Sequence, residues 1–188
     1  MTGLWIILGI SIFVVIWFIG AYNSLIRSKT SCETAWADID VQLKRRHDLI
    51  PNLVNVAKKY VQHEKDTLES VIKARQQAID AKSLQDRIEA ENMLTSTLRS
   101  LFAVSENYPD LKADTVMKDL SENLVSTENR IAFARQHYNS TVRTYRIKLQ
   151  SIPTNLIAGM FAATFQLDEF PYFEADEEER ENVKVEFE

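Results

Sequence analysis

The chain contains few of the residues that interrupt helices. It has four glycines and four prolines among 188 residues, and Pro51 and Pro109 are the only two of either type between Tyr22 and Gln150. Because glycine and proline mark most turns and helix ends, their scarcity predicts long helices. The glycines stand at positions 3, 9, 20 and 159, which excludes a glycine-rich phosphate-binding loop and the GxSxG turn of many hydrolases.

Cysteine and histidine are also scarce. Cys32 is the single cysteine, which excludes an intramolecular disulfide and a cysteine-based zinc site. His63-Glu64 begins like the HExxH motif of zinc proteases, but residue 67 is a threonine, so the second ligand on that helical face is missing. A catalytic Cys–His pair would need an exposed, activated Cys32, whereas such a lone cysteine is more often a small core residue. We therefore predict no catalytic residue, no metal, no cofactor and no enzymatic activity.

Residues Leu4 to Ala21 form one apolar run in which Ser11 is the only polar side chain. Eighteen helical residues extend for roughly 27 Å, close to the ~30 Å hydrocarbon core of a bilayer. We predict a single-pass transmembrane anchor over residues 1–22. The alternative is a cleaved signal peptide, for which Gly20-Ala21 could be the cleavage site. Against it, the run is longer than a signal h-region and no Lys or Arg precedes it.

The charged residues around this run predict its orientation. The N-terminal flank has no Lys or Arg, whereas Arg27 and Lys29 follow the run. The positive-inside rule therefore places the bulk of the chain in the cytoplasm.

Charge is distributed unevenly over the rest of the chain. Residues 168–188 have a net charge of −8, and residues 1–167 have a net charge of +3. The chain is thus a mildly basic body with an acidic tail. Such a body is not basic enough to indicate nucleic-acid binding.

Apolar residues recur at helical spacing through most of the body. One stripe has an interval of seven residues and predicts a long helix packed in a bundle, with Asp114 as its N-cap: Met117, Leu124, Ile131, Tyr138 and Tyr145. A second stripe follows Ser83, a predicted N-cap, and includes one acidic residue: Leu84, Ile88, Glu91, Leu94, Leu98 and Leu101. We predict an all-α fold in which an antiparallel long-helix, four-helix bundle occupies residues 23–152.

The densest local pattern is the segment IDVQLKRRHDLIPNLV at residues 39–54. A proline within a helix removes one backbone hydrogen bond and clashes with the carbonyl four residues earlier. Pro51 therefore predicts a kink or break opposite His47. Alternatively, a second helix starts here, with Asp48 as its cap.

The same segment carries the basic triplet Lys44-Arg45-Arg46 beside His47. If the first helix is continuous with the membrane span, the triplet lies roughly 35 Å from the membrane surface. This distance is several times the ~8 Å Debye length. We therefore expect these side chains to meet acidic groups, in the bundle or in a second protomer, rather than lipid headgroups.

The segment from 153 to 167 is apolar and contains several small residues. It predicts a short helix whose large side chains are Leu156, Ile157, Met160, Phe161 and Phe165. About twelve apolar residues are too few to cross a bilayer. Three interpretations remain open: a cap on the bundle core, a contact with a neighbouring protomer, and an interfacial membrane helix. The last of these would require Lys or Arg on the polar face, which this segment lacks.

The acidic tail, residues 168–188, is too charged to form a core of its own. Phe170, Tyr172 and Phe173 could dock the tail on the body, while its acidic residues meet the basic triplet of the same or an adjacent chain. This hypothesis rests on charge complementarity alone.

Two segments of the chain resemble one protein family. The segment that includes RRHDLIPNLV, and the closing segment that includes PYFEADEE, resemble the LemA family of bacterial membrane proteins over nearly the whole chain. The resemblance implies a membrane-attached four-helix bundle without established enzymatic activity. It also implies the bacterial inner membrane as the location. Some relatives resemble lipoproteins, with a cysteine where this chain has Gly20-Ala21; these would face outward, so the bulk outside the cytoplasm is the alternative orientation.

We therefore predict a scaffold or interaction protein that self-assembles at the bacterial envelope. The alternatives are an adaptor for a membrane-embedded metalloprotease and a protein that remodels membranes through its C-terminal helix. The expected partners are the membrane, a second copy of the chain and, in the adaptor alternative, a membrane protease. We expect no nucleic-acid partner. The candidate interaction residues are Lys44, Arg45, Arg46, His47, Asp48, Pro51, Leu156, Met160, Phe161, Phe165, Tyr172 and Phe173.

Overall fold

All regular secondary structure in the computed structural model, which describes residues 2–61 and 63–174, is helical. Within these ranges the helices are α1 (Thr2–Ala57), α2 (Lys65–Asp80), α3 (Leu84–Ser105), α4 (Pro109–Ala113), α5 (Thr115–Gln150) and α6 (Thr154–Met160). The predicted all-α class with an N-terminal apolar helix is confirmed.

Helix α1 is 56 residues long and begins with the predicted membrane segment. In the described part of the chain it is the one helix that is long and apolar enough to cross a bilayer. Its side chains from Leu4 to Trp17 are exposed around the whole helix. A helix that is apolar on all sides needs either a protein core or lipid around it, so this exposure suits a lipid environment.

Pro51 lies inside α1, six residues before the helix ends at Ala57. The alternative in which a second helix starts at this proline, with Asp48 as its cap, is therefore wrong. The next helix begins only at Lys65, after a short turn. The apolar residues that follow the proline explain the continuity, because Leu53, Val54 and Ala57 are buried and hold the last turns of α1 in the core.

The chain divides into two compact units. Among the described residues, the first unit comprises residues 2–38 and 134–172, and the second comprises residues 39–61, 63–133 and 173–174. Helices α1 and α5 each supply a segment to both units. The sequence boundaries predicted for the anchor, bundle, short helix and tail remain predictions, and α6 itself occupies residues 154–160.

The core of the second unit is built from aliphatic side chains of α1 to α5. Ile50 and Leu53 of α1 pack with Leu94 and Leu101 of α3, and all four are fully buried. Met117, Leu124 and Ile131 of α5 are also buried, as their interval of seven predicted. Each such side chain contributes about 2 kcal/mol by leaving water.

The core of the first unit is more aromatic. The Trp36 ring meets the Tyr138 ring edge to face, with centroids 5.5 Å apart, and Tyr145 meets Phe170 in the same way at 5.7 Å. Burial raises the pKa of Tyr145 to about 12. Cys32 is fully buried, as predicted for a small core residue, and this burial raises the pKa of its thiol.

Both predicted N-caps are present. The Ser83 side chain accepts a hydrogen bond of 3.0 Å from the backbone N–H of Asp86 at the start of α3. Asp114 Oδ1 accepts one of 3.0 Å from the N–H of Met117 at the start of α5. Each bond satisfies a backbone donor that a helix start leaves without a partner.

We expect Ser83→Ala to lower the free energy of unfolding by about 1 kcal/mol, because the N–H of Asp86 loses its acceptor. The measurement is denaturant unfolding of the full chain in detergent, followed by circular dichroism. Ser96→Ala is the control, since Ser96 is exposed in the middle of α3. Equal losses in both variants would show that the cap contributes nothing.

Candidate functional site

Arg46 of α1 is the centre of a buried polar cluster in the second unit. Its side chain is 1% exposed. The guanidinium contacts the Glu91 carboxylate of α3 through Nη2, and Nη1 lies 2.7 Å from Oε2 of Glu128 on α5. Nη1 also donates to Thr95 Oγ1 at 2.9 Å. One side chain therefore connects three helices.

Glu91 is the second member of this cluster and is fully buried. Its Oε1 lies 2.8 Å from Nε2 of His47, while Oε2 meets Arg46. Burial by itself would raise the pKa of Glu91, but the contacts of its carboxylate with His47 and with the Arg46 guanidinium outweigh that effect. The net effect is a lowered pKa, so the carboxylate stays ionised at neutral pH.

Pro51 creates a second polar contact at the same level of α1. Because proline has no N–H, it cannot donate to the carbonyl of His47, four residues earlier. Arg75 of α2 takes that place, with its Nε donating to the His47 carbonyl oxygen at 2.8 Å. The adjacent residues Arg46 and His47 thus connect α1 to α2, α3 and α5.

The other candidate residues of this motif face outward. Lys44, Arg45, Asp48 and Pro51 are exposed, and Lys44 Nζ lies 3.2 Å from Asp48 Oδ2 one turn away. An exposed pair of this kind contributes little to stability. The basic triplet is therefore split, since Arg46 has acidic partners inside the bundle. The acidic tail residues that were predicted to contact the triplet lie mostly at positions 175–188, outside the described residues.

A cavity of about 160 Å³ opens beside the cluster. Arg46 and Glu128 form its polar end, and its walls are Thr95, Leu98, Arg99, Phe102, Leu124 and Val125. Val125 also lines a shallow groove along one face of α5, together with Phe133. These two side chains are 57% and 72% exposed. A surface of this kind can hold an apolar side chain of another helix.

The C-terminal candidate residues have different surroundings. Leu156 and Met160 are exposed, whereas Phe165 is buried in the first unit. The Phe161 ring lies 6.3 Å from Phe18 and 5.0 Å from Tyr22, and Phe165 lies 5.6 Å from Tyr22. Phe161 and Phe165 are therefore near the end of the apolar run of α1.

The remaining two candidates lie just before the end of the described residues. Tyr172 is half buried, with the guanidinium of Arg146 4.5 Å above its ring centre. Phe173 is buried. Whether any candidate residue contacts another molecule remains a prediction. Within residues 2–61 and 63–174, no three His, Cys, Asp or Glu side chains are arranged to hold a metal ion.

Sequence reasoning did not single out Glu91, Glu128 or Arg75 as site residues. A signal for Glu91 was present, because an acidic residue interrupts the apolar stripe of α3 between Ile88 and Leu94. A carboxylate at a core position requires a buried cation. Glu128 and Arg75 lie among many charged residues, and only the fold distinguishes them.

Known proteins resemble this chain over most of its length. A model of the LemA family matches residues 35–187. Protein LemA of Metamycoplasma hominis is 26% identical over 185 residues, which are 95% of this chain and 84% of that protein. Magnetosome protein MamQ 2 of Paramagnetospirillum magneticum and magnetosome protein MamQ of Magnetospirillum gryphiswaldense are 24% and 22% identical over 163 residues. These matches cover 73% of this chain but 60% of each magnetosome protein.

The fold and the site define a class: an all-helical protein with an N-terminal apolar helix and a buried ion-pair cluster. The family match covers more than half of the chain and includes the whole cluster from Arg46 to Glu128. The chain belongs to the LemA family, as its motifs predicted. None of these relatives' names denotes an enzyme.

We expect Glu91→Gln to lower the free energy of unfolding by about 3–5 kcal/mol, because Arg46 would remain buried without its charged partner. Denaturant unfolding in detergent measures the loss. Glu89→Gln on the exposed face of α3 is the control, with an expected change within about 0.5 kcal/mol. Similar losses in both variants would contradict the role of Glu91.

The lowered pKa of Glu91 also predicts a pH dependence. The folded pKa lies below the unfolded value of about 4.3. The ionised Glu91 carboxylate therefore contributes its full share to the free energy of unfolding above that value. This contribution is lost as the pH falls through the folded pKa. Unfolding curves of the parent chain between pH 7 and pH 3 should show the loss. The Glu91→Gln variant should lack this component, and an identical pH profile would contradict it.

We expect Arg75→Met to lower the free energy of unfolding by about 1–3 kcal/mol, since the His47 carbonyl would lose its donor. Adding Pro51→Ala should recover part of this loss, because the new N–H at position 51 can donate to the same carbonyl. A double-mutant cycle measures the coupling, with Lys73→Met on the exposed face of α2 replacing Arg75→Met as the control. Strictly additive effects of Arg75→Met and Pro51→Ala would contradict the exchange of donors.

Proposed function

We propose that this LemA-family chain is a non-enzymatic scaffold of the bacterial inner membrane that self-associates through one face of α5. The observation that carries the proposal is the exposed apolar surface of Val125 and Phe133 beside the cavity on the second unit. An exposed apolar surface next to a preformed cavity is typical of interaction sites.

The buried cluster supports this role by fixing the helices that form the surface. Arg46 connects α1 to Glu91 of α3 and to Glu128 of α5. The cavity lies between residues of the same three helices. Ion pairs of this kind favour a particular arrangement of helices, so they favour one shape of the cavity beside the groove.

The charges along the α5 face favour a second copy as the partner. Glu122 and Arg130 line the groove and lie four residues on either side of Ser126. In an antiparallel pair of α5 helices that cross at Ser126, Glu122 of each copy faces Arg130 of the other. A twofold contact requires this kind of self-complementary surface.

The relatives are compatible with a role at a membrane, since two of them are named magnetosome proteins. The N-terminal segment of α1 provides the attachment. The positive-inside rule, applied to Arg27 and Lys29, places the bulk in the cytoplasm.

Charge exchange tests the proposed pairing. Glu122→Arg and Arg130→Glu should each weaken self-association, because like charges then face each other across the contact. The double exchange should restore it, since the pair is only inverted. The measurement is the particle mass of the full chain in detergent by light scattering, with folding verified by circular dichroism.

Three outcomes would overturn the proposal: a monomeric parent chain, single variants that associate like the parent chain, or a double variant that is no better than the singles. A monomer that co-purifies with a membrane protease would instead support the adaptor function. Phe133→Ser should also reduce the particle mass, with the buried α5 residue Thr127→Ser as the conservative control.

A further inference from the structure

The C-terminal end of α6 lies beside the end of the membrane segment of α1, within the first unit. Phe161 packs on Phe18 and Tyr22, with ring centroids 6.3 and 5.0 Å away. Phe18 is in the last turn of the apolar run. If that run spans the bilayer, Phe161 must lie at the boundary between acyl chains and headgroups, where aromatic residues are favoured.

The adjacent face of α6 is apolar and exposed. Leu156 and Met160 lie one turn apart and are 65% and 70% exposed, and Ile152 just before the helix is 83% exposed. The opposite side of the helix carries Ile157 and Ala158, which are buried in the first unit. This helix therefore places one face in the protein and the other toward its surroundings.

The fold also supplies the positive charge that an interfacial helix requires. The sequence of α6 has no Lys or Arg, but Arg27 of α1 and Lys148 of α5 line one polar groove of about 210 Å³. Lys148 Nζ donates to Ser24 Oγ at 3.1 Å. Since Ser24 is three residues beyond Ala21, the Lys148 ammonium lies close to the end of the apolar run. The groove is otherwise lined by Ser and Thr residues, and the hydroxyl groups of Ser31, Thr141 and Thr144 donate to backbone carbonyls of their own helices. A phosphate in the groove would therefore be held by Arg27 and Lys148.

Lys148, through its contact with Ser24, lies at the depth of a headgroup layer, and Arg27 lies just beyond that layer. Ser24 lies roughly 4–5 Å beyond the end of the apolar run and Arg27 roughly 9 Å beyond it. The polar layer of a bilayer is roughly 5–8 Å thick on each side. Long basic side chains extend toward such a layer while their stems stay on the protein.

We propose that the first unit makes a second contact with the bilayer. In this contact the exposed face of α6 enters the acyl boundary, and Arg27 and Lys148 hold the phosphate of an anionic phospholipid. The contact is independent of the α5 face that the proposed self-association uses. It assigns α6 to the lipid rather than to a neighbouring protomer.

Depth-dependent fluorescence quenching tests the apolar part. The full chain with Cys32→Ala receives a single cysteine, Leu156→Cys or Met160→Cys, is labelled with a polarity-sensitive fluorophore and is reconstituted into phosphatidylcholine–phosphatidylglycerol vesicles. Spin-labelled acyl chains should quench both positions, and aqueous iodide should not. Gln136→Cys is the matched control, because it is exposed on α5 about 18 Å from Lys148 along the helix. The control should be quenched by iodide alone, and the same pattern at 156 and 160 would overturn the proposal.

Energy transfer to labelled lipids tests the charged part. Transfer from the protein's tryptophans to labelled phosphatidylglycerol should exceed transfer to labelled phosphatidylcholine. The combination Arg27→Gln and Lys148→Gln should reduce this preference by roughly fivefold per side chain. The charge-matched control combines Lys73→Gln and Lys82→Gln, both exposed in the second unit, and should retain the preference.

Two results would overturn the headgroup site. One is a preference for the anionic lipid that the Arg27→Gln/Lys148→Gln variant retains. The other is a preference that millimolar inorganic phosphate abolishes in the parent chain, which would indicate a free anion as the ligand.

Discussion

The buried guanidinium of Arg46 is the constraint on which the second unit depends. An unpaired charge in a protein interior costs several kcal/mol, so this side chain requires carboxylates at fixed positions. The buried carboxylate of Glu91 contacts Nη2 of the guanidinium, and the carboxylate of Glu128 contacts Nη1. A shift of α3 or α5 would leave a buried charge without a partner, whereas aliphatic side chains tolerate small shifts. The ion pairs thus select one arrangement of the helices among several that the apolar core would permit.

The exposed surfaces of the two units require different surroundings. The second unit exposes Val125 and Phe133 beside charges of both signs, a combination that suits another protein surface. The first unit exposes Leu156 and Met160 beside the end of the apolar run, a combination that suits a bilayer. A scaffold at a membrane would need both kinds of contact, and the two contacts proposed for this chain use separate elements.

The sequence predicted the fold class and several details of the helices. Long intervals without glycine or proline, the interval of seven in α5 and the caps at Ser83 and Asp114 depend on neighbouring residues alone. Such features can be predicted because local backbone geometry determines them. The interpretation of Pro51 as a possible helix start was wrong, because the buried residues after it continue α1. Burial against distant helices outweighed the local preference.

The sequence by itself determined that the chain is helical, that it begins with a segment apolar enough to span a bilayer, and that it belongs to one family. Only the tertiary structure decided that Arg46 contacts Glu91. It also decided that Arg75 donates to the His47 carbonyl, which Pro51 leaves without a backbone donor. It also placed Lys148 near the end of the apolar run. These contacts join residues that are far apart in the chain, and hydrophobic periodicity contains no information on which charged residues meet. Periodicity reports which side of a helix is buried, whereas the pairing of charges depends on how the helices pack.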